Sequence, residues 1–205
     1  FFLITCNYIS VFSQRAGIME SPYSMTIDFQ AGHYYTFTNT KILGLISVDC
    51  DLIYFKTAMG EKRVVLTAKD IKAYVIGNDS FTVIKKIYGP HEQYYDAAFA
   101  LVISTGKLTL YSHCSHWTNT APSGAGGFSK SESIAVEAFY YIQKDKVIYR
   151  IKRGDFKDKV NFMFGDNVEL MNKINQKKMG FNDFEQIIAE YNAWYEKNAA
   201  AKASE

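Results

Sequence analysis

Residues 113–117 read His113-Cys114-Ser115-His116-Trp117, the densest run of chemically capable side chains in the sequence. Two imidazoles and a thiol within four residues can supply soft metal ligands, or a thiolate beside a base. With Tyr111 just upstream, the rings of His113, His116 and Trp117 also form a candidate ligand-binding surface. Strand parity works against a joint site. If the strand that begins near Lys107 continues, Cys114 shares the inward face of Leu108 and Leu110, while His113 points the opposite way. A structural zinc site also needs four ligands, and no second set at ligand spacing appears. His91 and Glu92 are adjacent in a Gly89-Pro90 loop, and His33 stands alone. His113, Cys114 and His116 are therefore only weak metal candidates, and no catalytic residue is assigned.

Other possible sites are weaker still. The segment 118–133 is the one long irregular stretch, with Pro122 and the run Gly124-Ala125-Gly126-Gly127. Phosphate loops open onto a helix terminus and carry Gly-Lys-Ser/Thr or a third glycine. Here Ser129 takes that glycine's place and a strand follows, so the stretch reads as a loop at one end of a sheet. Asp49 and Asp51 flank Cys50 and would share a face if extended, which suits Ca²⁺ or acid–base work. Turns favour Asp for local reasons, and a turn is the preferred reading. No Gly-x-Ser-x-Gly elbow, His-Glu-x-x-His helix or internal repeat is present, and no cofactor is implied.

The elements that must position these residues follow from periodicity. From about Tyr34 to Arg153 short runs of β-branched and aromatic residues alternate with turn residues. They fall at 42–48, 52–56, 63–68, 73–76, 81–87, 98–104, 107–113, 134–143 and 146–152. Gly77-Asn78-Asp79-Ser80, Thr105-Gly106 and Lys144-Asp145 are hairpin turns by spacing, and the gaps are too short for crossover helices. Ile134, Val136, Ala138, Tyr140 and Ile142 share one face, as do Val147, Tyr149 and Ile151. Arg150, Lys152 and Arg153 then solvate the outer face and an edge. After Gly154 the period becomes helical. Asp155 caps a helix carrying Phe156, Val160, Met163 and Phe164, stopped at Gly165. Asp166 with Glu169 forms a capping box for a helix with a Val168, Met171, Ile174 stripe and Lys177 and Lys178 in its last turn. Asn182 with Glu185 starts a third, faced by Phe184, Ile187, Ile188, Tyr191 and Tyr195. The expected fold is α+β: a mainly antiparallel β-sheet body (roll, sandwich or barrel-like) over 14–153, a C-terminal unit of two to three helices over 154–198, and a flexible tail over 199–205.

At the amino terminus, residues 1–13 are uncharged and apolar with small polar interruptions, and Val11-Phe12-Ser13 fits a signal-peptidase site. They read as the remnant of a secretory signal. The run is shorter than the roughly 20 residues of a bilayer-crossing helix, and no later stretch could span a membrane as a helix. Cleavage removes Cys6 and leaves Cys50 and Cys114, either one disulfide or two buried thiols. Across the 205 residues, 23 Lys+Arg against 21 Asp+Glu give a net charge of +2, which excludes the concentrated basic face of a dedicated nucleic-acid binder. Hydrophobic residues at 48% and charged residues at 21% exclude a disordered chain, and the 16% aromatic content is the outlier.

Several segments together resemble an uncharacterised exported family of Bacteroidota. They are Phe12-Ser13-Gln14, Gly44-Leu45-Ile46, Leu52 through Lys56, Leu66 through Tyr74, Leu101-Val102-Ile103, Gly106 through Tyr111, and the helical pattern Phe156 to Asn192. The resemblance implies a periplasmic, outer-membrane-peripheral or extracellular location and carries over no active-site residue. The expected function is a non-catalytic binding or structural interaction module of the cell envelope, its partner an envelope protein or a small ligand. The alternative is a small hydrophobic-ligand carrier with an aromatic-lined cavity gated by the 118–133 loop. A hydrolase using Cys114 with His113 or His116 ranks last.

Overall fold

The computed structural model describes residues 28–89, 92–120 and 132–203, with side chains described throughout except at 116–120 and 132–137. Residues 1–13, read above as a signal remnant, His91 and the 121–131 part of the glycine-rich segment lie outside the described residues. Among the described residues ten strands precede three α-helices: β1 Gln30–Tyr35, β2 Lys41–Asp49, β3 Leu52–Lys56, β4 Val64–Leu66, β5 Ala73–Ile76, β6 Asp79–Tyr88, β7 Tyr94–Ser104, β8 Thr109–Thr120, β9 Glu132–Lys144 and β10 Val147–Ile151, then α1 Phe156–Phe164, α2 Val168–Asn175 and α3 Phe184–Ala203. All ten strands belong to one antiparallel sheet of order β10-β9-β8-β7-β6-β5-β1-β2-β3-β4. It consists of two meanders, β1–β4 and β5–β10, joined where Gly32–Tyr35 pair with Ala73–Ile76. The fold is α+β, a β-rich body followed by C-terminal helices.

Local chemistry explains most boundaries. Asp145 and Lys146 both take positive φ, 49° and 70°, as a two-residue turn that matches strand twist requires. The turn therefore sits one residue later than the Lys144-Asp145 expected, and Lys146 is not in the strand. β1 begins before Tyr34 although Gln30-Ala31-Gly32-His33 has little β-propensity. It is flanked on both sides, by β2 and β5, so ladder pairing overrides composition. Residues 118–120 and 132–133, expected to be irregular, pair as the outermost described rungs of β8 and β9.

The sheet curls so that β10 returns towards β6. Arg150 of β10 donates to the Gly89 carbonyl just after β6, and the Tyr141 hydroxyl donates to Tyr88 O at 2.9 Å. Arg150 thus does not solvate an outer face: it is half-buried, with its guanidinium 4.6 Å above the Phe139 ring. Lys152 pairs with Glu92 at 2.5 Å, and Arg153 stacks on Phe181. The curl buries both faces of the C-terminal strands. Leu108, Leu110, Ile142 and Ile151 face the helices, while Tyr111, Phe139 and Tyr141 face Ile84, Ile87, Ala98 and Ala100. A third core, around Ile46, Ile53, Phe55, Tyr74 and Phe99, lies on the N-terminal strands under the Ala68 and Ile71 loop.

The helical unit keeps its expected order but caps differently. Asp155 accepts from Lys152 N at 2.8 Å and pairs with Lys159, closing the tight turn before α1 rather than capping α1. Asn167, not Asp166, caps α2 by accepting from Leu170 N at 3.0 Å, while Asp166 accepts from the Tyr191 hydroxyl. Val168 is consequently at the first turn and 69% exposed, outside the stripe of Leu170, Met171 and Ile174. Lys177 lies beyond α2 in the left-handed region, φ 58°. Asp183 holds the turn before α3 by accepting from Gly180 N at 2.8 Å, and Asn182 accepts instead from Arg153. The α3 face of Phe184, Ile187, Ile188 and Tyr191 is buried as its spacing predicts. The helix then runs on through Ala203, where a tail was expected.

Candidate functional site

β7 and β8 part company halfway along. Their ladder holds from Ser104 opposite Leu110 to Leu101 opposite Ser112, with a bulge in between, and beyond Ser112, among the described residues, β8 pairs with β9 alone. The turn between β2 and β3 lies against β8 at that point. Cys50 occupies the turn at φ 46° and is joined to Cys114 of β8 by a disulfide, with Cα atoms 5.4 Å apart. The geometry meets the distance requirement that sequence spacing alone left open.

Beside the disulfide is a buried polar group. His113, 1% exposed, has Nδ1 2.9 Å from the carbonyl oxygen of Phe99. A carbonyl only accepts, so Nδ1 carries the proton and donates. The imidazole therefore bridges β7 and β8 where their backbone ladder has ended. The Asp51 carboxylate lies 3.8 Å from the same nitrogen. One rung further, the Ser115 and Tyr95 hydroxyls are 2.8 Å apart, and the Tyr95 ring meets the imidazole edge-on at 5.3 Å. Tyr74 stacks on Phe81 at 4.4 Å beneath. His113 Nε2 and the Tyr74 hydroxyl, both buried, have no hydrogen-bond partner among the described residues. Burial, and then the Asp51 charge, push the Tyr74 phenol well above its ordinary range. The Tyr141 phenol is pushed up to about 12, chiefly by burial, against the opposing pull of Arg150.

A surface cavity of about 280 Å³ opens alongside, lined by Asp51, Leu52, Thr67, Ala68, Lys69, Tyr95 and Ala97. Asp51 and Tyr95 belong both to its wall and to the buried polar group. A second hollow, of about 270 Å³, is lined by Tyr35, Asn39, Lys72 and Ala73.

The structure brings together only part of the expected cluster. Cys114 and His113 do point to opposite sides of β8, but the far side is a second interior rather than solvent. With its sulfur in the disulfide, Cys114 has no thiolate to offer a metal or a substrate. Among the described residues no three His, Cys, Asp or Glu side chains are grouped closely enough to hold a metal ion. Tyr111 is buried and donates to Gln143 at 2.7 Å, a packing role. The backbones of His116 and Trp117 continue β8, and their side chains lie outside the described ones. Sequence reasoning passed over Asp51 as a turn residue and did not single out Tyr74 or Tyr95. The adjacency of Asp51 to Cys50 was the one available signal, since whatever Cys50 bonds to must lie next to Asp51.

Comparison of the chain with protein-family models, curated proteins and solved structures gives no match. Among the described residues no helix is long and apolar enough to cross a membrane.

Proposed function

We propose that the protein is an exported component of the cell envelope that acts as a non-catalytic binding or structural interaction module, in the periplasm, at the outer-membrane periphery or outside the cell. The observation that carries this reading is the disulfide between Cys50 and Cys114, which ties a turn to a strand 64 residues further along the chain. Such bonds persist in oxidising compartments and are rare where glutathione and thioredoxin act. The apolar start of the sequence and the Bacteroidota-like segments support the same placement. The site at the base of β8 suits binding better than turnover: its histidine is engaged with a backbone carbonyl, its cysteine is bonded, and burial pushes its Tyr74 and Tyr141 phenols up.

Fractionation with thiol trapping tests the reading. Cells producing the chain are quenched in acid, alkylated with a mass-tagged maleimide and fractionated. The expected result is an envelope or extracellular protein in which Cys50 and Cys114 take up no tag until reduced. A cytoplasmic protein with both thiols reactive overturns the proposal.

A further inference from the structure

The N-terminal strands β1–β5 have their charges sorted by end. β1 runs from the Gln30–Ile46 rung to the Tyr35–Lys41 rung, where β5 begins at Ala73. β3 returns alongside β2 and stops at Lys56, opposite Leu45, while β2 itself extends past that rung to Lys41. The β1–β2 and β3–β4 turns therefore leave the same end of the sheet. Lys41, Lys62, Arg63 and Lys72 lie at that end, with Glu61 as the carboxylate among them. Asp49 and Asp51, beside Cys50, and Asp79, just after the β5–β6 turn, lie at the other end, where the disulfide is.

Large apolar side chains project from the cationic end. Phe37, in the β1–β2 turn, is 52% exposed, and Met59, in the β3–β4 turn, is 79% exposed. Leu43, on the same face of β2 as Lys41, is 69% exposed. Turns favour small and polar residues, so apolar tips on two neighbouring turns are not explained by turn chemistry, and their exposure gives them little packing role. The first turn is held by its own hydroxyls, with Thr36 Oγ1 2.8 Å and Thr40 Oγ1 3.3 Å from Thr38 Oγ1. Lys72 Nζ donates to Asn39 Oδ1 at 2.6 Å, and an ammonium has further N–H donors for an anion. The hollow between Tyr35, Asn39, Lys72 and Ala73 opens beside it. A folded partner would need a separate socket for each tip, whereas lipid closes around any apolar side chain that enters it. Lysines at the surface of an anionic leaflet are drawn to its phosphates, and apolar groups gain by entering the acyl boundary. We propose that this end of the molecule docks on an anionic phospholipid surface, with Phe37 and Met59 entering the headgroup layer and Lys41, Lys62 and Lys72 pairing with lipid phosphates. This rests on the reading of the protein as an exported envelope module and names a lipid surface as what it meets.

Vesicle flotation with the oxidised protein tests this, using vesicles of phosphatidylglycerol and phosphatidylethanolamine in equal parts and vesicles of phosphatidylcholine alone. Phe37→Ser/Met59→Ser removes the tips and Lys41→Gln/Lys62→Gln removes two exposed cations. Val168→Ser on α2, an apolar residue 69% exposed outside the surface, is the control. The expected result is flotation with the anionic vesicles alone, weakened by added salt, about tenfold or more weaker for each double change, and unaltered by Val168→Ser. Hydrogen exchange provides a readout that requires no variant: amides of 36–40 and 57–63 should slow with anionic vesicles while those of α3 do not. Absence of flotation with anionic vesicles, or equal flotation with phosphatidylcholine, overturns the proposal. So does flotation that survives both double changes, or exchange at the two turns that ignores the vesicles. Capture by soluble polyglutamate without any flotation, lost in the lysine variant and kept in the tip variant, would make the partner an acidic polymer and overturn it as well. All these failures leave the export reading standing, whereas a cytoplasmic protein with reduced thiols removes that reading and leaves the measured vesicle binding in place.

Discussion

Where α1, α2 and α3 cover β8, β9 and β10, the interior is aliphatic and aromatic: Leu108, Leu110, Ile142, Phe164, Ile187 and Ile188 have essentially no exposed surface. One buried polar residue there, Asn192, is fully engaged. Its Oδ1 accepts from Leu108 N and its Nδ2 donates to Leu108 O, both at 2.9 Å. Gly106, at φ 154°, leaves room for it, since a Cβ there would lie 2.6 Å from the Asn192 side chain. A few residues further along the same strand, the junction under the β2–β3 turn is built otherwise. His113 uses one nitrogen and leaves the other without a described partner, the Tyr74 hydroxyl is in the same condition, and a disulfide holds the parts together. One end is specified by packing and complete hydrogen bonding, the other by a covalent link. An interior with incomplete polar pairing stays in place when something other than packing constrains it.

The largest effect should come from the packed end. Phe164→Ala removes a fully buried ring that meets Tyr191 edge-on at 5.3 Å, and should cost about 3–5 kcal/mol by urea denaturation. A cost below about 1 kcal/mol would mean that the helices are loosely attached, and the contrast with the junction would disappear.

Second in size is the link itself. Cys50→Ser with Cys114→Ser should cost about 2–4 kcal/mol, because the bond closes a long loop in the unfolded chain. Its spatial signature is the sharper test. Hydrogen exchange should accelerate in the β2–β3 turn and along 113–115 while the amides of α3 keep their protection. Uniform acceleration would show that the junction and the helical end unfold as one unit.

One buried polar residue from each end gives a direct comparison of intermediate size. Asn192→Ala strands the Leu108 N–H and C=O and should cost about 1–3 kcal/mol. His113→Phe loses one hydrogen bond to Phe99 O but also removes a buried nitrogen with no described partner, so about 1 kcal/mol or less is expected. Reversal of that order, measured by chemical denaturation, would mean that Nε2 is satisfied in solution by a water or a ligand.

These two regions were unequally legible in the sequence. The bounds of β3 and β5 and the buried face of α3 follow from residue spacing, because each element's own pattern encodes which side meets the core. Asp155 stands at the start of α1 as expected but turns its carboxylate to Lys152 N, and at the other two starts Asn167 and Asp183 act in place of Asp166 and Asn182, which are as capable as they are. Tertiary partners (Lys159, Tyr191 and Arg153) decide which one bonds to what. At the junction, parity correctly separated His113 from Cys114. It could not reveal that His113 is covered, since the residues around it (Asp51, Tyr95 and Tyr141) come from distant parts of the chain. Asp51 was indistinguishable from any turn aspartate until the disulfide placed it.

The smallest expected effect concerns the covers of the two ends. Helices cover one end, whereas a loop anchored by Asp70 covers the N-terminal core with Ala68 and Ile71. Asp70 Oδ2 accepts from Thr67 N at 2.8 Å and from Thr67 Oγ1 at 2.7 Å. These bonds, the hydroxyl first, hold its carboxyl below the ordinary carboxylate range. A carboxyl depressed in the folded state contributes stability that is fully present above its unfolded value, near 4, and is lost as pH falls through the folded value. Asp70→Ala should therefore cost about 0.5–1 kcal/mol at neutral pH, in keeping with exposed hydrogen bonds, and should narrow the difference from wild type once the pH is below 4. Wild type should show faster exchange at 67–72 on acidification before α1–α3 respond. An Asp70→Ala deficit that stays constant down to low pH would show that the carboxylate's charge plays no part, and that the loop, like the helices, is held by its apolar contacts.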